Sequence, residues 1–252
     1  MTPFPEAPPG AARPGQRLRV AAMGDLHVGE NDRQPYRQVF AEISAQADVL
    51  VLCGDLTNYG KSHEVEILVE DLATCALPVI GVLGNHDYEC GQHQEVGRML
   101  TQAGVRLLDG EAYEIGGVGF AGCKGFVGGY GRYMLSAFGE HEIKSFVQAS
   151  VDENLKLETS LRMLRTDRAV VVLHYSPIPE TLAGEPPEIF PFLGCSRMAE
   201  TIDRFENVGL VVHGHAHRGA YAGRTPRGAA VFNVSVPVLM RESGRPYVIY
   251  EV

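Results

Sequence analysis

Residues 79–89, VIGVLGNHDYE, carry an apolar run straight into Gly84-Asn85-His86-Asp87. A strand that ends this way delivers an amide oxygen, an imidazole and a carboxylate to the carboxyl edge of a sheet. In open α/β sheets, ligands bind at that edge. The same event recurs along the chain. RVAAM runs into Gly24-Asp25-Leu26-His27, and DVLVLC into Gly54-Asp55. AVVVL runs into His174, and VGLVV into His213-Gly214-His215-Ala216-His217. Convergence of five such strand ends predicts a metal site.

Between these strands the spacing turns helical. Pro35–Ala47 places Tyr36, Val39, Phe40 and Ile43 on one face, the segment after Gly60 does the same with Val65, Leu68, Val69 and Leu72, and Gln92–Ala103 is closed by Gly104 as a C-cap. Alternating strands (18–23, 48–53, 78–83) and helices predict an α/β chain with a largely parallel sheet covered by helices. Past Val105 the rhythm changes. Residues 111–115 and 118–123 read as a hairpin about Gly116-Gly117. Residues 124–139 form a Gly- and aromatic-rich loop, and 140–164 a long helix or two abutting ones with Phe146, Leu155, Leu161 and Leu164 as core contacts. After the strand at 169–173, residues 176–194 read as a long loop with five prolines, followed by a helix at 196–205 and a strand at 208–212. The remaining tail reads as antiparallel strands. Residues 1–16, rich in Pro, Gly and Ala, predict a flexible tail, and 17–252 a single domain whose substrate-selecting part lies around 124–194.

Composition narrows the function class. With 252 residues the chain has ample core, and 45% hydrophobic content is that of a globular protein. A net charge of −9 argues against a broad nucleic-acid surface and for a small, locally recognised substrate. Five cysteines without CxxC spacing read as reduced thiols, and neither a signal-type h-region nor a membrane-length apolar run occurs, so a cytoplasmic protein is expected. The sequence leaves the oligomeric state open.

The polar strand ends supply seven candidate ligands: Asp25, His27, Asp55, Asn85, His174, His215 and His217. A closed structural zinc site needs four. Seven N and O donors fit two divalent ions, with manganese, iron and zinc the leading candidates for this ligand chemistry. Two ions about 3.5–4 Å apart clamp the attacking and leaving oxygens of an in-line displacement and can hold a hydroxide at neutral pH. After subtraction of Asp25, Asp55 and a hydroxide, such a pair keeps about one positive charge, enough to draw a phosphate ester into an acidic protein. Asn85 matters here, because a carboxylate in its place would cancel that charge.

The ordered set D-x-H, GD, GNHD, H and GHxH resembles the calcineurin-like metallophosphoesterase superfamily, over most of the chain and without substitution. The resemblance implies two facing mixed β-sheets flanked by helices, with the site on loops at one edge. It implies that Asp25, His27 and His217 hold one metal, that Asn85, His174 and His215 hold the other, and that Asp55 bridges them. It also implies that His86, oriented by Asp87, stands beside the scissile phosphate without ligating. The size of the chain resembles the small members of the superfamily, and a phosphodiesterase is the first expectation. A phosphomonoesterase, with phosphoprotein among its candidate substrates, is the alternative enzyme, and a catalytically silent metal-binding scaffold the alternative of another class. His213 is expected to pack or hydrogen-bond; Lys124 and Arg132, in the Gly-rich loop, and Arg197, at a helix start, are candidates to meet a substrate phosphate, with solvation at the surface the first reading for each.

Overall fold

The computed structural model describes residues 17–252, so the tail expected at 1–16 lies outside the described residues. Chain order builds two mixed sheets. The first is laid down by β1 (Arg19–Met23), α1 (Arg37–Gln46), β2 (Val49–Cys53), α2 (Ser62–Leu72), β3 (Val79–Val82), α3 (His93–Gln102) and β4 (Val105–Leu107). The second begins with β5 (Ala112–Ile115) and β6 (Val118–Gly122), and continues through α4 (His141–Met163) to β7 (Ala169–Val172). Two short helices, α5 (Phe190–Leu193) and α6 (Ser196–Ile202), precede β8 (Val208–His213), β9 (Ala222–Arg224) and β10 (Ala230–Asn233). The chain returns through α7 (Val236–Ser243) and β11 (Val248–Glu251) to the first sheet. Strand orders are β11-β1-β2-β3-β4 and β5-β6-β7-β8-β10-β9.

Strands β1-β2-β3-β4 and β6-β7-β8-β10 run parallel, with antiparallel strands at one edge of the first sheet (β11) and at both edges of the second (β5, β9). The parallel strands read as unbroken apolar runs because both of their faces are buried. Side chains alternate between two cores. Val20, Ala22, Val49, Val51 and Ile80 point between the sheets, where they meet Phe120, Val170, Val172 and Val212. Ala21, Met23, Leu50 and Leu52 point outward, under Phe40 and Ile43 of α1, Val65 and Leu68 of α2, and Val96 and Leu100 of α3. On the far side, Val171 and Val211 pack under Leu157 and Leu161 of α4 and Met198 and Ile202 of α6. The parallel strands therefore end on one edge of a sandwich, where their polar termini meet.

Three expectations are corrected. Leu155 is 52% exposed, because α4 turns Val147, Leu157 and Leu161 inward instead. The tail is not wholly antiparallel: β10 pairs parallel with β8, and VPVLMRES forms α7, with Pro237 tolerated in the first turn and Gly244 closing it at φ +70°. Residues 176–194 carry one-turn helices at 180–182 and 187–189 as well as α5, since their prolines suit helix starts.

Candidate metal centre

Each candidate ligand sits just past a strand end, and four of them adopt the left-handed backbone that non-glycine residues rarely take: Asp25 (φ 58°), His27 (φ 47°), Asp55 (φ 48°) and His215 (φ 70°). Such conformations cost energy and persist only where surrounding contacts hold them. Here those contacts are backbone hydrogen bonds between the loops. Asp25 N–H donates to the Gly54 carbonyl, His27 N–H to the Asp55 carbonyl and Val28 N–H to the Leu56 carbonyl, at 2.9, 3.0 and 3.2 Å. The motif glycines make room for the carboxylates. A Cβ on Gly84 would lie 2.1 Å from Asp55 Oδ1, and one on Gly214 would lie 2.1 Å from Asp25 Oδ2.

Three clusters of donor atoms result, each drawn within 4.8 Å: Asp25, His27 and His217; Asp55, His174 and His215; and His27, Asp55 and His86. The first two groups are joined by the short approach of His27 Nε2 to Asp55 Oδ2, 3.8 Å. His217 Nε2 stands 2.8 Å from Asp25 Oδ1 and 3.4 Å from His27 Nε2. In the other group His174 Nδ1 faces the Cys53 carbonyl at 2.9 Å, which leaves Nε2 turned to Asn85 Oδ1 at 2.9 Å and Asp55 Oδ1 at 3.4 Å. In that tautomer an imidazole lone pair and two oxygens converge with no proton between them, an arrangement complementary to a cation. His215 Nε2 faces the Phe192 carbonyl at 3.3 Å, leaving Nδ1 as its ligating atom.

The electrostatics point the same way. Burial lowers His27 and His174 to about 4, and lowers His215 well below its ordinary value, so these rings present lone pairs at neutral pH. Burial raises Asp55. His217 is raised by its hydrogen bond to Asp25. The residues present therefore fit two divalent cations bound by N and O donors.

Asp87 is not where the resemblance implied. Its buried carboxylate accepts the amides of Leu56, Thr57 and Gly84 at 3.2, 2.9 and 2.8 Å, and the Thr57 hydroxyl at 2.6 Å. The His86 ring is held instead by the Asn58 carbonyl, 2.7 Å from Nδ1, and its backbone N–H donates to Asp55 Oδ1 at 2.8 Å. Asp87 thus ties the loop after β2 to the loop after β3, and Asn58, which the sequence reading passed over, orients the imidazole. Only its place in the loop that follows Asp55 hinted at it.

His213 is buried and hydrogen-bonded, Nδ1 to the Gly214 carbonyl and Nε2 to Thr181 Oγ1, both 2.8 Å. Arg132 lies exposed over Tyr133. Lys124 is not a solvated surface cation. Its Nζ lies 4.9–5.4 Å from the ring centres of Phe126, Tyr175 and Tyr88. It lines a cleft of about 840 Å³ that opens beside Asn85.

A sandwich of two mixed sheets whose strand ends gather Asp, Asn and His into adjoining donor groups is the arrangement that metal-dependent phosphoester hydrolysis requires. The profile of the calcineurin-like phosphoesterases matches residues 18–219, and the chain belongs to that family. No curated protein matches the chain in sequence. Among solved structures the chain is similar to phosphopantetheinyl hydrolase (PptH) from Mycobacterium tuberculosis, at 16% identity and a TM-score of 0.66, covering 94% of this chain and 96% of that one. It is also similar to the protein TT1561 of Thermus thermophilus, at 13% identity and a TM-score of 0.54, covering 93% and 99%. At these identities the likeness speaks for the fold. No helix among the described residues is long and apolar enough to cross a membrane.

Proposed function

We propose that the chain is a dinuclear-metal phosphodiesterase. Asp25, His27 and His217 would hold one ion, and Asn85, His174 and His215 the other, with Asp55 shared between them. Two bound divalent ions supply Lewis-acid charge at phosphorus and an activated water for in-line attack. The protein supplies geometry. The Cys53 and Phe192 carbonyls fix the His174 and His215 tautomers, and the cross-loop bonds hold Asp25, His27 and Asp55 in their left-handed conformations. With Nδ1–H held by Asn58, His86 keeps Nε2 for the reacting phosphate, where it would stabilise the charge on phosphorus or protonate the departing alcohol oxygen.

The observation that favours a diester is the cleft. A phosphomonoester has one organic substituent, whereas a diester has two. The 840 Å³ cleft beside Asn85 and Tyr175 gives room for a second arm of considerable size. Both walls come largely from the region 124–194 and from α3, in keeping with a substrate-selecting role for that region. Five free cysteines suit a reducing, cytoplasmic setting.

The test is side-by-side turnover of bis(p-nitrophenyl) phosphate and p-nitrophenyl phosphate with added manganese, zinc or iron(II). Preference for the diester is expected. Preference for the monoester would overturn the assignment, and two tightly bound metals with no turnover of either ester would favour a binding scaffold. Phosphopantetheinyl esters, which the name of the Mycobacterium tuberculosis neighbour carries, belong in the substrate screen that follows.

A further inference from the structure

Lys124 follows β6 at the turn into the Gly-rich loop, and its backbone is locked to the metal centre. Its carbonyl accepts the amides of both His174 and Tyr175, at 3.0 and 3.1 Å. The side chain leaves this anchor and enters the cleft beneath Tyr88, Phe126 and Tyr175. Three ring faces stabilise the ammonium by cation–π attraction but satisfy none of its N–H donors. Among the described residues only the Gly125 carbonyl accepts from it, at 2.9 Å.

Among the described residues no carboxylate comes within ion-pair distance of Lys124 Nζ. The cleft does contain carboxylates, each engaged by a partner: Asp152 Oδ1 accepts the Gln148 side-chain amide at 2.8 Å. Glu153 Oε2 accepts the Gly125 amide at 2.9 Å, while Glu153 Oε1 and Asp109 Oδ1 both take Lys156, at 2.8 and 2.7 Å. Lys156 is therefore neutralised by two partners, whereas Lys124 is a largely buried cation with unspent donors. One tyrosine connects it to the reaction centre: the Tyr175 ring centre is 5.3 Å from Lys124 Nζ and 4.4 Å from that of His215.

We infer that Lys124 is a specificity-determining residue that binds a second acidic group, a phosphate, phosphonate or carboxylate, carried on one ester arm of the substrate. The inference rests on the phosphodiesterase reading. It gives a role to a lysine held in an aromatic enclosure on the lining of a cleft that also includes Asn85. It also narrows the substrate class to diesters whose alcohol bears an acid.

The test compares a matched pair, propyl p-nitrophenyl phosphate and 3-phosphonopropyl p-nitrophenyl phosphate, which differ only in the acidic end. The metal-loaded protein is expected to prefer the phosphonate by about tenfold or more in kcat/KM. In Lys124→Met, which keeps length and burial, that ratio should collapse toward one, and Lys124→Arg should restore part of it. A second measurement is independent of turnover. Calorimetric titration of the EDTA-treated protein with methyl 3-phosphonopropyl phosphate should show binding that is at least tenfold weaker in Lys124→Met. Inactivity toward both esters with Lys124-dependent binding retained would count against the phosphodiesterase reading alone. A kcat/KM ratio unchanged in a folded Lys124→Met protein, or binding independent of Lys124, would overturn the inference.

Discussion

The Asp87 carboxylate accepts the Thr57 hydroxyl at 2.6 Å and the Thr57 amide at 2.9 Å, across thirty residues of chain and away from the His86 ring. One buried side chain thereby pins the loop carrying Asp55 to the loop carrying Asn85. Truncation of Asp87 to Ala would strand three amides and a hydroxyl in the interior. We predict a loss of about 3 kcal/mol or more of stability. Urea unfolding checks this: a midpoint within error of the parent would show that the carboxylate is not holding the loops.

His86 makes a contrasting prediction, because among the described residues its ring hydrogen-bonds to the Asn58 carbonyl alone. His86→Ala should retain two metals per chain by elemental analysis, with thermal stability close to the parent. Its turnover should fall about 10²–10⁴-fold, the range typical of general acid–base groups. Concurrent loss of one metal would instead make His86 a ligand, a role compatible with its proximity to His27 and Asp55.

Gly84 is constrained by space. A Cβ there would lie 2.1 Å from Asp55 Oδ1 and 2.2 Å from the Asp55 amide, so it fits only if the Asp55 loop shifts. Gly84→Ala is expected to destabilise the fold by about 1–3 kcal/mol and to lower metal content through displacement of Asp55. Gly91→Ala is a poorer control than it looks, since φ is +74° there despite open space. Gly209→Ala, with neither constraint, should leave metal content untouched.

Metal uptake should depend on pH through His217 above all. Its folded pKa is raised by Asp25, so a proton occupies Nε2 as pH falls through that value and must leave for a metal to bind. Affinity for the first ion should fall by up to about tenfold per pH unit below that point. His27 and His174 stay neutral down to about 4 and add no slope at mildly acidic pH. In the metal-free protein the sign reverses: the His217–Asp25 pair stabilises the fold fully below the ordinary histidine pKa, and that contribution is lost as pH rises through the raised value. Zinc titrations of the parent and of His217→Gln across mildly acidic pH check the assignment. An equal slope in both would disprove it.

Asn85→Asp adds a negative charge beside His174 and Asp55. Tighter metal retention and a higher KM for phosphodiesters should accompany each other, because the extra carboxylate cancels the surplus positive charge that attracts the substrate. A lower KM in Asn85→Asp would contradict that electrostatic account.

The linear chain carried the fold class and the candidate donor residues for one physical reason. Parallel strands buried on both faces must be continuous apolar runs, so the polar residue that ends each run is conspicuous, as in VIGVLGNHD and VGLVVHGH. The strands at 18–23, 48–53 and 78–83 and the helices between them were legible from period alone. Contacts between distant segments were not. Nothing local to Asp87 distinguishes a carboxylate facing its neighbour imidazole from one reaching back to Thr57, and only the packing of two loops decides it. Lys124 read first as a surface cation because it opens a Gly-rich loop, whereas its partners Tyr88 and Tyr175 arrive from distant segments. The antiparallel reading of the tail held for β9–β10 and for β11 on β1 but missed the parallel pairing of β10 with β8, a register that local periodicity does not encode. Sequence alone thus determined which atoms are available for chemistry, through the burial pattern of each strand, and tertiary structure decided what each atom touches, because those partners lie dozens of residues away.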